Sequence, residues 1–233
     1  MRIFRSALLF FLLAVVTGLS AQESDMTSLG QLLARTAGIS PGVAAAAGLT
    51  PRTPFVPANR EASLYQNRTV PLGEGLFLPS PSDTALFLSE LKIRPEDRVL
   101  VAGVVTGYTA ALVRRLAGQV VVMEQNPAER GRIADYLAGD PLPAGPGYAP
   151  VTLIRSWDPA LLAAEEPFQV IIVHGAAVTL PAVLMNLLAR PGRLGAVLRS
   201  DAGFSLAVYL SRDDRGETLR TGTSLYFPAL KAW

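Results

Sequence analysis

Short apolar runs alternate with stretches of helical spacing from residue 98 onwards. Apolar runs without polar alternation indicate strands that are buried on both faces, and amphipathic spacing between them indicates covering helices. This pattern predicts a doubly wound α/β domain with a mostly parallel sheet. The predicted strands lie at 98–103, 120–124, 151–155, 168–173, 194–198 and 205–210. The predicted helices lie at 107–116, 127–137 and 181–189.

The region between the first residues and this domain is less regular. Residues 22–30 are polar, and we expect them to be frayed. Helical spacing follows over 29–49 with an interruption at 40–42, and 51–81 is rich in proline, glycine and polar residues. We therefore assign 22–81 to an amino-terminal helical and irregular extension, and 82–233 to the α/β domain.

The first 21 residues have the tripartite pattern of a secretory signal peptide. Arg2 and Arg5 precede an apolar run at 7–16, and small residues follow up to Ala21, after which we expect cleavage. The alternative is an uncleaved membrane anchor, although the apolar run is short for a full span. We predict export to the periplasm or the medium, with no membrane attachment after cleavage.

Composition and charge exclude several classes of protein. Half of the residues are hydrophobic and 17% are charged, which is typical of a globular chain and not of a disordered one. The chain carries 21 basic and 19 acidic residues, and without Arg2 and Arg5 the two numbers are equal. This balance gives no case for a nucleic-acid partner. Because the chain has no cysteine, disulfides and thiolate metal sites are excluded, and we predict no metal site.

A candidate nucleoside site follows the first predicted strand of the domain. In a doubly wound sheet the ligand crevice lies outside the carboxyl ends of the strands, and here Gly103 and Gly107 bracket that turn. Glu124 ends the next strand, at a spacing suited to binding a ribose diol. Val104 and Val105 oppose the close backbone approach of a pyrophosphate, so an adenosine ligand without phosphates fits better than NAD. The alternative is purely structural, since glycine is common in such turns and a carboxylate there is often merely solvated.

Several segments together resemble the protein-L-isoaspartate O-methyltransferase family. The resembling segments are RTPFVP (52–57), LGEG (72–75), RVLVAGVVTGY (98–108), PFQVIIVHGAA (167–177) and YFPAL (226–230). The resemblance implies the Rossmann-like fold of S-adenosylmethionine-dependent methyltransferases. It also implies methyl transfer from that cofactor to isoaspartyl carboxylates in damaged proteins or peptides. The cofactor-binding candidates are then Gly103, Thr106, Gly107, Tyr108, Glu124 and Asp158.

The departures from the family pattern fall where its chemistry is expected. Pro79 stands at the position of the hydroxyl in I-S-Q-P, and the polar pair before it is Leu76-Phe77. Val101 replaces the acid of V-L-E-I-G, and Val105 replaces the central glycine of the cofactor loop. The acid expected near the adenine is lost or displaced by one residue to Asp158.

Two residues are weak catalytic candidates. Ser80 could supply the hydroxyl that is missing at the neighbouring position, but Ser80-Pro81 also has the pattern of a helix N-cap followed by proline at the first helical position. His174, the only histidine, follows the fourth predicted strand, which places it at the mouth of the crevice. It could act as a base near neutral pH, although a histidine without a paired acid is more often incidental.

Three functions remain open from the sequence. The chain could be a working isoaspartyl methyltransferase, an impaired relative that keeps the fold for binding, or a different adenosine-dependent enzyme. We favour the impaired, exported relative, because both the altered site and the leader point away from cytoplasmic repair. In this interpretation the crevice near Phe77, Val105 and Trp157 has become an apolar pocket for a peptide or small ligand. The cofactor, if the protein is active, is S-adenosylmethionine.

Overall fold

The computed structural model describes eight segments of the chain. They are residues 22–57, 64–73, 76–103, 107–124, 126–139, 149–154, 167–199 and 205–230. The helices are α1 (22–34), α2 (Pro41–Leu49), α3 (Pro81–Glu90), α4 (Tyr108–Val113), α5 (Pro127–Gly139) and α6 (Ala182–Asn186), with a 3-10 turn at Thr53–Phe55. The strands are β1 (Val70–Gly73), β2 (Leu76–Leu78), β3 (Arg98–Ala102), β4 (Gln119–Met123), β5 (Val151–Ile154), β6 (Phe168–Ala177), β7 (Leu188–Arg199), β8 (Ser205–Asp213) and β9 (Gly216–Ser224).

Seven of the described strands form one sheet in the order β5-β4-β3-β6-β7-β8-β9. The first five of these are mutually parallel, and β8 and β9 continue the sheet in antiparallel fashion. The chain runs outward from β3 through β4 to β5, then returns to the other side of β3 with β6. The switch point of the doubly wound sheet therefore lies between β3 and β6. The predicted fold class is confirmed.

Side chains of the central strands alternate between two hydrophobic clusters. Val99 and Val101 of β3 belong to the larger cluster, which includes residues of α2, α3 and α4. Leu100 and Ala102 belong to the smaller cluster, which includes Leu184 of α6. Both faces of β3 are thus covered, which explains why its sequence is apolar without alternation.

Two expectations for the amino-terminal extension are wrong. Residues 22–30 are helical and belong to α1, because Leu29 and Leu33 are buried and anchor that helix in the larger cluster. The stretch expected to be irregular contains the antiparallel hairpin β1–β2. The break between α1 and α2 lies at 35–40, so it overlaps the predicted interruption only at Ser40, and Pro41 and Gly42 already belong to α2. The Ser40 hydroxyl caps α2 by accepting a hydrogen bond from the Val43 N–H at 3.4 Å.

Three strands differ clearly from the prediction. β7 begins at Leu188, six residues before its predicted start at 194, because the helix before it ends at Asn186 and not at 189. β6 continues to Ala177, past the predicted end at residue 173, and its pairing with β7 is irregular between Val173 and Ala176. β9 was not predicted at all, because nearly all its residues are exposed and only pairing with β8 defines it. The β8–β9 turn is fixed by the Asp213 carboxylate, which accepts hydrogen bonds from the N–H groups of Arg215 and Gly216.

The predicted signal peptide, residues 1–21, lies outside the described residues. In the parts of the chain that are described, we find no helix long and apolar enough to cross a membrane.

Candidate functional site

The switch point between β3 and β6 carries two glycines in left-handed conformations. Gly103 follows β3 with φ +69°, and Gly175 lies in the irregular part of β6 with φ +144°. Leu230 packs on both, and a Cβ added to Gly103 would lie 2.7 Å from the Leu230 Cδ2 atom. The crevice in which a doubly wound sheet binds its ligand therefore holds a leucine of this chain.

Leu230 is held there by the segment Leu225–Leu230, which we call the C-terminal strap. The Ala176 N–H donates to the Pro228 carbonyl at 2.7 Å, and the Leu230 N–H donates to the Ala176 carbonyl at 3.0 Å. At the other end of the strap, the Tyr226 ring stacks on the Phe77 ring, with centroids 4.4 Å apart and planes 9° from parallel. The strap thus bridges the carboxyl end of β6 and the β1–β2 hairpin.

Gly107 and Tyr108 are explained by packing. Gly107 begins α4 with φ +76°, and a Cβ there would lie 2.5 Å from Ile133 Cγ1 of α5. Tyr108 is buried, and its ring lies 5.9 Å from the Phe55 ring in an edge contact. Burial raises the pKa of Tyr108, and the nearby Arg52 guanidinium opposes that shift. Both residues lie at the expected crevice, but each has a structural reason to be there.

Glu124 lies directly after β4, one strand from Gly103. It is half-buried, and its Oε1 atom accepts a hydrogen bond from the Asn126 N–H at 2.8 Å. Its backbone carbonyl accepts from Arg130 Nη1 at 3.1 Å, which ties the end of β4 to α5. Because β3 and β4 are parallel neighbours, the structure brings Glu124 and Gly103 to neighbouring strand ends.

The hydroxyl of Ser80 caps a helix. Its Oγ atom accepts a hydrogen bond from the Asp83 N–H at 3.1 Å, and Pro81 occupies the first helical position of α3. Burial raises the pKa of the Asp83 carboxyl, and hydrogen bonds from the Ser80 hydroxyl and from the Tyr226 backbone only partly oppose this shift. The hydroxyl therefore serves the start of α3, as the alternative interpretation of Ser80-Pro81 predicts.

His174 lies inside β6 and not at an open mouth of the crevice. It is 1% exposed, and the edge of its ring meets the Phe227 ring of the strap at 5.0 Å. Neither ring nitrogen has a hydrogen-bond partner among the described residues. Burial lowers the pKa of His174 to about 4, so the imidazole is neutral at physiological pH and is a weak base. The sequence placed His174 at the carboxyl end of the strand but could not show that the strap covers it.

Arg52 is a feature that the sequence did not single out. It is completely buried, and its Nη2 atom donates to the Pro79 carbonyl at 2.9 Å. Its Cζ atom lies 4.7 Å from the centre of the Tyr108 ring. No local pattern distinguishes a buried arginine from an exposed one, so the only signal was its place in the RTPFVP segment.

The remaining candidates lie outside the described residues. They are Thr106 and Asp158 among the cofactor-binding candidates, and Val105 and Trp157 of the expected apolar pocket. Within the described residues, no group of three or more histidine, aspartate or glutamate side chains could hold a metal ion.

Comparison with known proteins agrees with this architecture. Residues 27–131 match the family model described as Protein-L-isoaspartate(D-aspartate) O-methyltransferase (PCMT). A Protein-L-isoaspartate O-methyltransferase of Methanoculleus marisnigri is 33% identical over 193 residues, which cover 81% of this chain and 83% of that protein. The chain belongs to the protein-L-isoaspartate O-methyltransferase family. A relative of the same name from Roseiflexus castenholzii is 33% identical over 74% of this chain and 75% of its own length.

Solved structures of this family share the fold. A Plasmodium falciparum chain named as a protein-L-isoaspartate O-methyltransferase, solved with S-adenosyl-L-homocysteine, superposes with a TM-score of 0.71. It is 19% identical, and the match covers 88% of this chain and 97% of that one. A second structure of that name gives a TM-score of 0.75 at 18% identity, covering 89% of this chain and 66% of its own. The fold of the isoaspartyl methyltransferases is therefore shown for this chain.

Proposed function

We propose that this member of the isoaspartyl methyltransferase family is strongly impaired in methyl transfer and retains its crevice for binding. The observation that carries the proposal is Leu230, whose side chain packs against both Gly103 and Gly175 at the switch point. In an α/β sheet that space is where a nucleoside-containing ligand must approach the backbone. A ligand has to displace the leucine before it can bind there.

The nucleoside end of an S-adenosyl cofactor fits the residues that are present. Glu124 lies at the end of β4 with its carboxylate half-buried, and the turn after β3 begins with Gly103 in the left-handed conformation. These are the features by which such a sheet binds ribose. We therefore propose S-adenosylmethionine or its demethylated product as the cofactor class.

The methyl-donating end of that cofactor does not fit in the same way. When bound, S-adenosylmethionine supplies a methyl group on a positively charged sulfur. Near the switch point this chain presents Leu230, and β3 carries the fully buried Val101 where the family resemblance expects an acid. Apolar groups do not stabilise that charge, so we derive no transfer step from these residues.

The acceptor side lacks the hydroxyl that the family resemblance expects. Pro79 follows β2, and the carbonyl of this residue accepts from Arg52 Nη2. Ser80 does not replace the missing group, because its oxygen caps α3. Carboxyl methylation depends mainly on holding the acceptor against the methyl group, so loss of positioning groups lowers the rate directly.

Methyl transfer is tested with purified protein, labelled S-adenosylmethionine and a peptide that contains one isoaspartyl residue. The same peptide with a normal aspartyl residue is the control acceptor. We expect calorimetric titration to show binding of S-adenosylhomocysteine, with isoaspartyl-dependent transfer at least a hundredfold slower than by an active family member assayed in parallel. Transfer at a comparable rate would overturn the proposed impairment.

An active repair enzyme is the second candidate. It is favoured by the relatives of about one third identity over most of the chain, which are named as protein-L-isoaspartate O-methyltransferases. The same assay decides between the two, because an active enzyme must also methylate the isoaspartyl peptide selectively.

We also propose that the protein is exported. The support is the sequence of residues 1–21, with two arginines before an apolar run and small residues up to Ala21. Expression of the full chain in a bacterium with a periplasm tests this proposal. Intact mass spectrometry of the periplasmic fraction should give a chain that begins at Gln22, whereas uncleaved protein in the cytoplasm would contradict export.

A further inference from the structure

Arg52 is a buried cation for which the described part of the chain provides no anion. Within the described segments, its Nε and Nη1 atoms have no hydrogen-bond partner and no carboxylate forms an ion pair with it. Burial lowers the pKa of Arg52, but a guanidinium stays protonated in proteins. A buried charge with unmet donors is costly, and such a group usually indicates a missing partner.

Another partly buried arginine of the same chain shows what a complete set of partners looks like. Arg193 forms an ion pair with the buried Asp97, and it also donates to the carbonyls of Leu91 and Lys92. Arg52 donates to one carbonyl, and it also contacts the ring and the hydroxyl of Tyr108, which provide no anion. The fold therefore satisfies Arg193 internally and leaves Arg52 incomplete.

The surroundings of Arg52 indicate where its missing partner would bind. The guanidinium is bonded to Pro79, which occupies the position where the family resemblance expects a hydroxyl for the acceptor carboxylate. The β2–α3 turn at Pro79 is next to residues that the strap touches, because Phe77 stacks on Tyr226 and Asp83 accepts a hydrogen bond from the Tyr226 backbone. The strap therefore packs against residues on both sides of the turn whose carbonyl accepts from Arg52.

We propose that Arg52 binds a ligand carboxylate beside Pro79. Guanidinium groups suit carboxylates because their planar donors form short charge-assisted hydrogen bonds. Two of the proposed ligands carry such a carboxylate. One is the isoaspartyl side chain of an acceptor peptide, and the other is the amino-acid end of an S-adenosyl cofactor. The inference rests on the proposed function for its ligands, but it concerns binding alone.

Calorimetric titration of the full protein with two matched pairs of probes tests the proposal. The acceptor pair is an isoaspartyl peptide and the same peptide with that side chain as an amide. The cofactor pair is S-adenosylhomocysteine and its decarboxylated analogue, which keeps the ammonium group and lacks only the carboxylate. We expect the protein to prefer the carboxylate-bearing probe of one pair by about tenfold or more, and that pair identifies the source of the carboxylate.

Substitutions at Arg52 then test whether this residue causes the preference for the carboxylate-bearing probe. Arg52→Met should abolish it and Arg52→Lys should keep part of it. Tyr65→Phe is the matched control: the Tyr65 hydroxyl lies 3.4 Å from the Arg52 backbone nitrogen, so this change disturbs the same place without removing the cation. It should leave the preference unchanged. If Arg52→Met does not fold, the reduced preference of Arg52→Lys carries the test.

Two results would overturn the proposal. The first is an unchanged preference in Arg52→Met, or in Arg52→Lys where the methionine variant does not fold. The second is the absence of any carboxylate preference in the unaltered protein, including no binding of any probe at millimolar concentration. Rapid methylation of the isoaspartyl peptide would refute the impairment proposed above and leave these binding ratios unaffected.

Discussion

Shortening Leu230 to alanine removes the side chain that lies between Gly103 and Gly175. Leu230 is partly buried and packs against the smaller hydrophobic cluster. Full burial of a leucine side chain contributes about 1.5–3 kcal/mol, so the half-buried Leu230 contributes about 1–1.5 kcal/mol. When a ligand displaces Leu230, the protein loses the free energy of this packing contact, which weakens binding. In the alanine variant most of that cost is absent. Since 1.4 kcal/mol corresponds to a factor of ten, Leu230→Ala should bind S-adenosylhomocysteine about tenfold more tightly.

Calorimetry on the unaltered protein and the variant measures this change, and thermal unfolding confirms that both are folded. Leu219→Ala is the matched control, because Leu219 lies on β9 with 63% of its surface exposed and should leave the affinity unchanged. Equal or weaker binding by a folded Leu230→Ala protein would refute the displacement argument. The ligand would then reach the sheet without moving the leucine.

Two further predictions concern stability. Burial lowers the pKa of His174 to about 4 in the folded protein, against about 6.5 when unfolded, so protonation favours unfolding. As pH falls from 6.5 to 4, this residue should lower the unfolding free energy by about 3 kcal/mol. Urea titrations over this range should therefore show a smaller loss for His174→Phe than for the unaltered protein. A pH dependence that is the same in both proteins would mean that His174 is not buried in solution. Ser80→Ala removes the cap of α3 and should lower the unfolding free energy by about 1 kcal/mol in urea titrations. Ser82→Ala, which removes a hydroxyl in the first turn of the same helix that accepts no capping bond, is the control, and equal losses in the two variants would contradict the capping role.

The features that could be predicted from the sequence are those that neighbouring residues determine. The apolar runs of β3, β4 and the first half of β6 indicate strands covered on both faces, and the structure confirms them. The Ser80-Pro81 pair predicts a helix start by local hydrogen bonding, and α3 begins there. The family could be recognised because several such segments occur in order. β9 could not be predicted, since its exposed, mostly polar residues are in a strand only because β8 pairs with them.

Tertiary structure alone decided the state of the crevice. Leu230 meets Gly103 and Gly175 because the strap returns across the carboxyl end of β6 after β9, and no periodicity in the sequence encodes that return. The same return covers His174 and changes a candidate base into a buried neutral ring. The burial of Arg52 without an anion is also a property of packing between distant segments. Sequence fixes residue types and local geometry, whereas burial and partners depend on long-range contacts, and those contacts determine what each polar group can do.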